Sequence, residues 1–93
     1  AARGRRDAVV GVLKDYGMYR YSPQGAFYIM IDISETGLAS QEFAVQLLKS
    51  QKVAVAPGSA FGPSGEGWVR VSLATAEDLL IEAVRRLCRM VKG

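Results

Sequence analysis

One arginine lies inside an apolar run. In VAPGSAFGPSGEGWVRVSLA, residues 55–74, a short apolar segment stops at Pro57-Gly58 and a glycine-rich loop follows. A second apolar segment, residues 68–73, then carries Arg70 near its centre. A charged group inside a strand is costly unless something pairs with it. Two readings stand side by side. In one, Arg70 makes a structural ion pair with a carboxylate such as Glu66, or lies on a strand edge open to water. In the other, its planar fork holds the carboxylate of a small acid, beside the glycine loop and Trp68.

The remaining residue types narrow the chemistry. The chain has no histidine, which removes the usual general base, the usual zinc ligand and every Ser-His or Cys-His pair. The loop glycines match neither GxxxxGK[ST], since no lysine closes them, nor GxGxxG, since a strand follows and not a helix. Asp32, Glu35 and Glu66 are isolated carboxylates, with nothing to couple them as acid and base. Cys88 falls on the apolar face of the last helical segment and reads as a small core residue. As the one cysteine, it fits a reducing compartment. Tyr16, Tyr19, Tyr21, Phe27 and Tyr28 do not interleave with basic groups in an RNA-binding pattern. No metal and no nucleic acid are therefore expected, and if the chain belongs to an enzyme its proton-transfer group lies elsewhere or is a carboxylate or a lysine.

Six elements would position Arg70. Val9, Leu13 and Tyr16 mark one face of a helix over residues 5–16, which stops at Gly17. Ser22-Pro23-Gln24-Gly25 signals a turn. Residues 26–33 read as a strand covered on both faces. Ser40 is placed as the N-cap of a second helix, whose apolar side is Phe43, Ala44, Leu47 and Leu48 and which ends near residue 51. Residues 53–56 form a short strand stopped by Pro57. A loop without regular structure then leads to the strand at residues 68–73, with Val69, Val71 and Leu73 on one face and Trp68, Arg70 and Ser72 on the other. Thr75 and Asp78 form a capping-box-like start to the last helix, with Leu80, Val84, Leu87 and Val91 at helical spacing and a Glu82–Arg86 pair. The order is α-β-α-β-β-α: an α+β fold, a small sheet of about three strands with helices packed on one side.

Composition bounds the class. Ninety-three residues suffice for one small domain, residues 1–93, and 49% hydrophobic residues suit a globular core. The net charge of +3, from twelve basic and nine acidic residues, is a mild excess that does not call for nucleic acid or a membrane surface. The longest apolar run, residues 26–31, is far shorter than the ~20 residues of a membrane span. No basic-then-apolar leader opens the chain, so no signal peptide is expected.

Five pieces, correctly spaced, carry a resemblance. RRDAVV with GMYRYSPQGAFYIMIDI, then LLKSQKVAVAPGSAFG, then GWVRVSLA and a closing helix, together resemble the C-terminal small domain of the fold-type I, pyridoxal-phosphate-dependent aminotransferases, the aspartate-aminotransferase-like group. The likeness runs from about Arg5 to about Val91. It implies that Arg70 binds the substrate α-carboxylate and that Phe27 approaches the same site. It implies pyridoxal 5'-phosphate in the parent enzyme and none on this chain, because the Schiff-base lysine belongs to a large domain that the chain lacks; Lys14, Lys49, Lys52 and Lys92 lie in no matching motif. The implied partners are an amino acid, a 2-oxo acid, the large domain and, for the parent, a second copy in a homodimer. The implied compartment is intracellular, cytoplasmic or an organelle if a targeting peptide precedes the full enzyme. The alternatives are a free-standing small-ligand-binding or regulatory module without catalysis, and an interaction domain.

Overall fold

A computed structural model describes residues 2–20 and 27–93. The elements run α1 (Ala2–Asp15), β1 (Tyr28–Asp32), α2 (Ser40–Gln51), β2 (Ala56–Pro57), β3 (Trp68–Ser72) and α3 (Glu77–Lys92), with short 3-10 turns at Ser34–Thr36, Gly58–Phe61 and Pro63–Gly65. This is the expected α-β-α-β-β-α order. The turn at Ser22-Pro23-Gln24-Gly25 lies outside the described residues, as do Tyr21 and Ala26.

The sheet is antiparallel with order β1-β3-β2, so β3 is its central strand. Alternation along the strands separates two faces. Ile29, Ile31, Val69 and Val71 are buried with Val9, Val12 and Leu13 of α1, Phe43 and Leu47 of α2, and Leu80, Val84, Leu87 and Cys88 of α3 in one core cluster. All three helices thus cover one side of the sheet, as expected for an α+β layer. The other side presents Tyr28, Met30, Trp68 and Arg70, each half-buried. The expectation that the first strand is covered on both faces is corrected: its unbroken apolar run includes one face that the helices do not reach.

Arginines tie α1 across the sheet ends. Arg5 Nη1 donates to the Leu73 carbonyl at 3.0 Å, and Arg6 Nη2 donates to the Tyr28 carbonyl at 3.4 Å. Gly17, at φ 68°, takes the left-handed position that ends the helix.

Four further details depart from the sequence reading. Ser40 is the first residue of α2 and not its N-cap; Ala39 takes that position, without a side-chain cap. Leu48 is exposed, because it falls on the edge of the helix's apolar stripe, beyond the reach of the sheet. The second strand pairs only through Ala56↔Arg70 and Pro57↔Val69, later in sequence than residues 53–56. Pro57 is tolerated there because β2 is an edge strand, where the missing N–H breaks no ladder on its outer side. The last helix begins at Glu77 with Ala76 as N-cap and no side-chain cap bond, so Thr75 and Asp78 form no capping box; Asp78 instead accepts the N–H of its neighbour Leu79.

Candidate functional site

Arg70 sits at the middle of the central strand, opposite Met30 on one side and Ala56 on the other. Burial of Val69 and Val71 fixes the strand's facing and turns Arg70 to the side that carries no helix. There its guanidinium carbon lies over the Phe61 ring, 4.2 Å from the centre, and over the Tyr28 ring, 5.0 Å from the centre. Tyr28 reaches it from β1, one alternation away from Met30. Phe61 reaches it from the end of the first turn of the glycine-rich loop. Contacts over a ring use the charge and flat face of the guanidinium and leave the N–H donors of its fork available.

Among the described residues no carboxylate or hydrogen-bond acceptor meets those donors. Glu82 pairs instead with Arg86 and Arg89, and Glu35 with Lys92. The suggested pairing of Arg70 with Glu66 is not formed: the Glu66 carboxylate is turned to Ser40 and Gly67. Nor is Arg70 on an open strand edge. Asp32, on the same face as Arg70, accepts the Ser34 N–H at 2.8 Å. The site is a half-buried cation held between two aromatic rings. Such a group suits a planar anion that offers two oxygens.

The loop beside it has structure. Its two 3-10 turns cross so closely that a Cβ on Gly58 would run into the Gly65 carbonyl oxygen, and one on Gly65 into the Gly58 carbonyl oxygen. Glycine is required at this crossing by contact, which explains part of the loop's composition better than simple flexibility does.

Phe27, expected near the site, precedes β1 and is 71% exposed; its carbonyl accepts the Leu73 N–H at 2.8 Å. The rings that meet Arg70 are Tyr28 and Phe61, which the sequence reading did not nominate. Alternation puts Tyr28 on one face of its strand, but its place beside Arg70 needed the register of β1 with β3. Phe61 needed the path of the loop.

Other groups offer less. Cys88 is buried in the core as expected, and desolvation pushes its thiol up to about 11, so it stays protonated near neutrality. A groove of about 390 Å³ that Arg70 does not line runs between residues 52–54, Ser72 and α3, and Arg86 at its wall is already tied to Glu82 and to the Gln51 carbonyl. Among the described residues no cluster of His, Cys, Asp and Glu could hold a metal, and no helix is long and apolar enough to cross a membrane.

Comparison with known proteins gives a consistent picture. The family profile described as aminotransferase class I and II matches residues 1–87. The chain is 48% identical over 88 residues to aromatic-amino-acid aminotransferase 2 of Thermococcus litoralis, covering 95% of this chain and 23% of that protein. Against the aspartate aminotransferase of Pyrococcus abyssi the figures are the same: 48% over 88 residues, 95% and 23%. The crystal structure of an aromatic aminotransferase from Pyrococcus horikoshii superposes with a TM-score of 0.86 at 47% identity, covering 98% of this chain and 24% of that one. The chain spans about a quarter of the length of these relatives.

Proposed function

The chain belongs to the class I and II aminotransferases, and from that premise we propose that it is the C-terminal small domain of an enzyme moving an amino group between an amino acid and a 2-oxo acid, with Arg70 binding the substrate α-carboxylate. One observation carries the assignment of Arg70. It is a fixed, half-buried guanidinium with its faces against rings and no protein anion among the described residues. A free-standing carboxylate-binding module could present the same arginine. The family match, and coverage of about a quarter of relatives that are whole aminotransferases, favour the part of an enzyme.

Pyridoxal 5'-phosphate is the cofactor we assign to the whole enzyme, where it serves as electron sink for the α-carbon of the amino acid. All four lysines are exposed: Lys14 lies over Tyr19, Lys52 donates to the Lys49 carbonyl and Lys92 to Glu35. The lysine and phosphate contacts are therefore assigned to a large domain outside this chain. What this chain contributes is binding and orientation. Two N–H donors of Arg70 take the two carboxylate oxygens, the rings keep the fork from swinging, and closure of the large domain over this face excludes water. A homodimer of the whole enzyme is part of the same reading.

The test uses the longer protein that carries this chain. Relatives named for aromatic substrates make L-phenylalanine the first amino acid to try, and 2-phenylethylamine differs from it by the carboxylate alone. In the single-turnover half-reaction, Arg70→Ala should cut kcat/KM for L-phenylalanine by on the order of 10²- to 10³-fold, the size expected when one partner of a desolvated, hydrogen-bonded charge pair is lost at about 2–5 kcal/mol. Turnover of the amine, slow from the start, should change little. Arg70→Lys should recover only part of the loss, since a point charge does not reproduce the fork. Equal losses with both compounds would make Arg70 structural.

A further inference from the structure

Ser40 and Glu66 are 26 residues apart in sequence and meet at the first turn of α2. The Glu66 carboxylate accepts the Ser40 N–H at 2.8 Å and the Gly67 N–H at 3.0 Å through Oε2, and the Ser40 hydroxyl at 3.1 Å through Oε1. The Ser40 hydroxyl oxygen in turn accepts the Ser59 N–H at 3.2 Å. Ser40 is fully buried. Three of these bonds tie the ends of the glycine-rich loop to Ser40, and the fourth joins Glu66 to its neighbour Gly67. Ser59 is two residues before Phe61, on the same 3-10 turn. Glu66 and Gly67 lead directly into β3. Both ends of the loop thereby meet at Ser40, and the turn anchored through Ser59 is the one that carries the Phe61 ring over Arg70 of β3.

We propose that Ser40 and Glu66 are positioning residues for substrate binding: the staple they form holds the Phe61 ring over Arg70, and so holds the guanidinium fork at the angle a carboxylate requires. The inference rests on the assignment of Arg70 as the carboxylate clamp. Neither residue touches substrate. Without the staple the loop keeps its Gly58–Gly65 crossing but loses its anchor on α2, and the ring no longer limits the swing of the arginine. The consequence falls on binding of the carboxylate and not on the steps that follow it, so it appears in KM for a carboxylate-bearing substrate.

The experiment compares Glu66→Gln, Ser40→Ala, Phe61→Leu and Arg70→Ala in the cofactor-loaded full-length protein, using the ratio of kcat/KM for L-phenylalanine to that for 2-phenylethylamine. Glu66→Gln, Ser40→Ala and Phe61→Leu should each lower the ratio about five- to thirty-fold, chiefly through KM for L-phenylalanine. Because the staple acts through the ring, Glu66→Gln combined with Phe61→Leu should lose no more than the larger single effect. Phe61→Leu alters a half-exposed side chain and keeps the comparison alive if Ser40→Ala fails to fold. A ratio that collapses with Arg70→Ala and stays at the wild-type value with Glu66→Gln and Ser40→Ala overturns the positioning role alone. Losses that multiply in the double variant also overturn it, since the staple would then not act through Phe61. A ratio unmoved by Arg70→Ala overturns the clamp and the staple together.

Discussion

Contacts over the Tyr28 and Phe61 rings hold the Arg70 side chain by its charge and flat faces, at about 0.5–1 kcal/mol for an exposed pair and about 2 when desolvated. That is enough to orient a guanidinium and too little to replace an anion. Glu66 shows the complementary case, a charge whose partners are all within the chain. The Ser40 N–H above all, with the Ser40 hydroxyl and the Gly67 N–H, holds its carboxyl below the ordinary value of 4.5. A carboxyl whose folded pKa lies below its unfolded one binds its proton more readily in the unfolded chain. Its contribution to stability is therefore complete above 4.5 and is lost as pH falls through the lowered folded value. Urea midpoints of wild type and Glu66→Gln, measured from pH 7 to pH 3, should accordingly converge as the solution is acidified. A gap that stays constant over that range would mean that the Glu66 charge is not what the staple uses.

The elements make these residue effects possible, and they differ in how plainly the sequence announces them. Helices α1, α2 and α3 were legible from apolar spacing, and β3 from its strict alternation, which alone placed Arg70 opposite Val69 and Val71. Helix starts were less legible. Ser40 has the right chemistry for an N-cap, yet its hydroxyl serves Ser59 and Glu66, partners set by tertiary structure that no local window contains. The pairing of Tyr28 with Arg70 depends on strand register, and that of Phe61 on the course of a loop. The loop itself read as unstructured because glycine suggests freedom, whereas Gly58 and Gly65 are there for closeness. This gives a prediction for the element. Gly58→Ala places a methyl against the Gly65 and Trp68 carbonyl oxygens, a forced overlap of the kind that costs about 1–3 kcal/mol. The urea midpoint of the 93-residue chain should fall accordingly, while Gly11→Ala, which meets open space on α1, should not lower it. Equal midpoints for the two variants would contradict the close crossing.

At the scale of the whole molecule, one sheet has a side covered by the helices and a side that carries Arg70. The core cluster of α1, α2 and α3 fixes the first, and Arg5 and Arg6 lock α1 to the ends of β3 and β1. The second side carries the Tyr28 and Phe61 rings against the Arg70 guanidinium and, among the described residues, no α-helix, which suits the proposed domain that works against another. The resemblance legible in RRDAVV, PQGAFY, PGSAF and GWVRVSLA led to the family. We propose that Arg70 binds the substrate carboxylate. A crystal structure of the full-length protein with a bound amino-acid substrate analogue tests it most directly. The account predicts both carboxylate oxygens within about 2.7–3.2 Å of two Arg70 N–H donors, with the Phe61 and Tyr28 rings still against the guanidinium. A carboxylate bound elsewhere, with Arg70 paired to a protein carboxylate from the remaining chain, would contradict it.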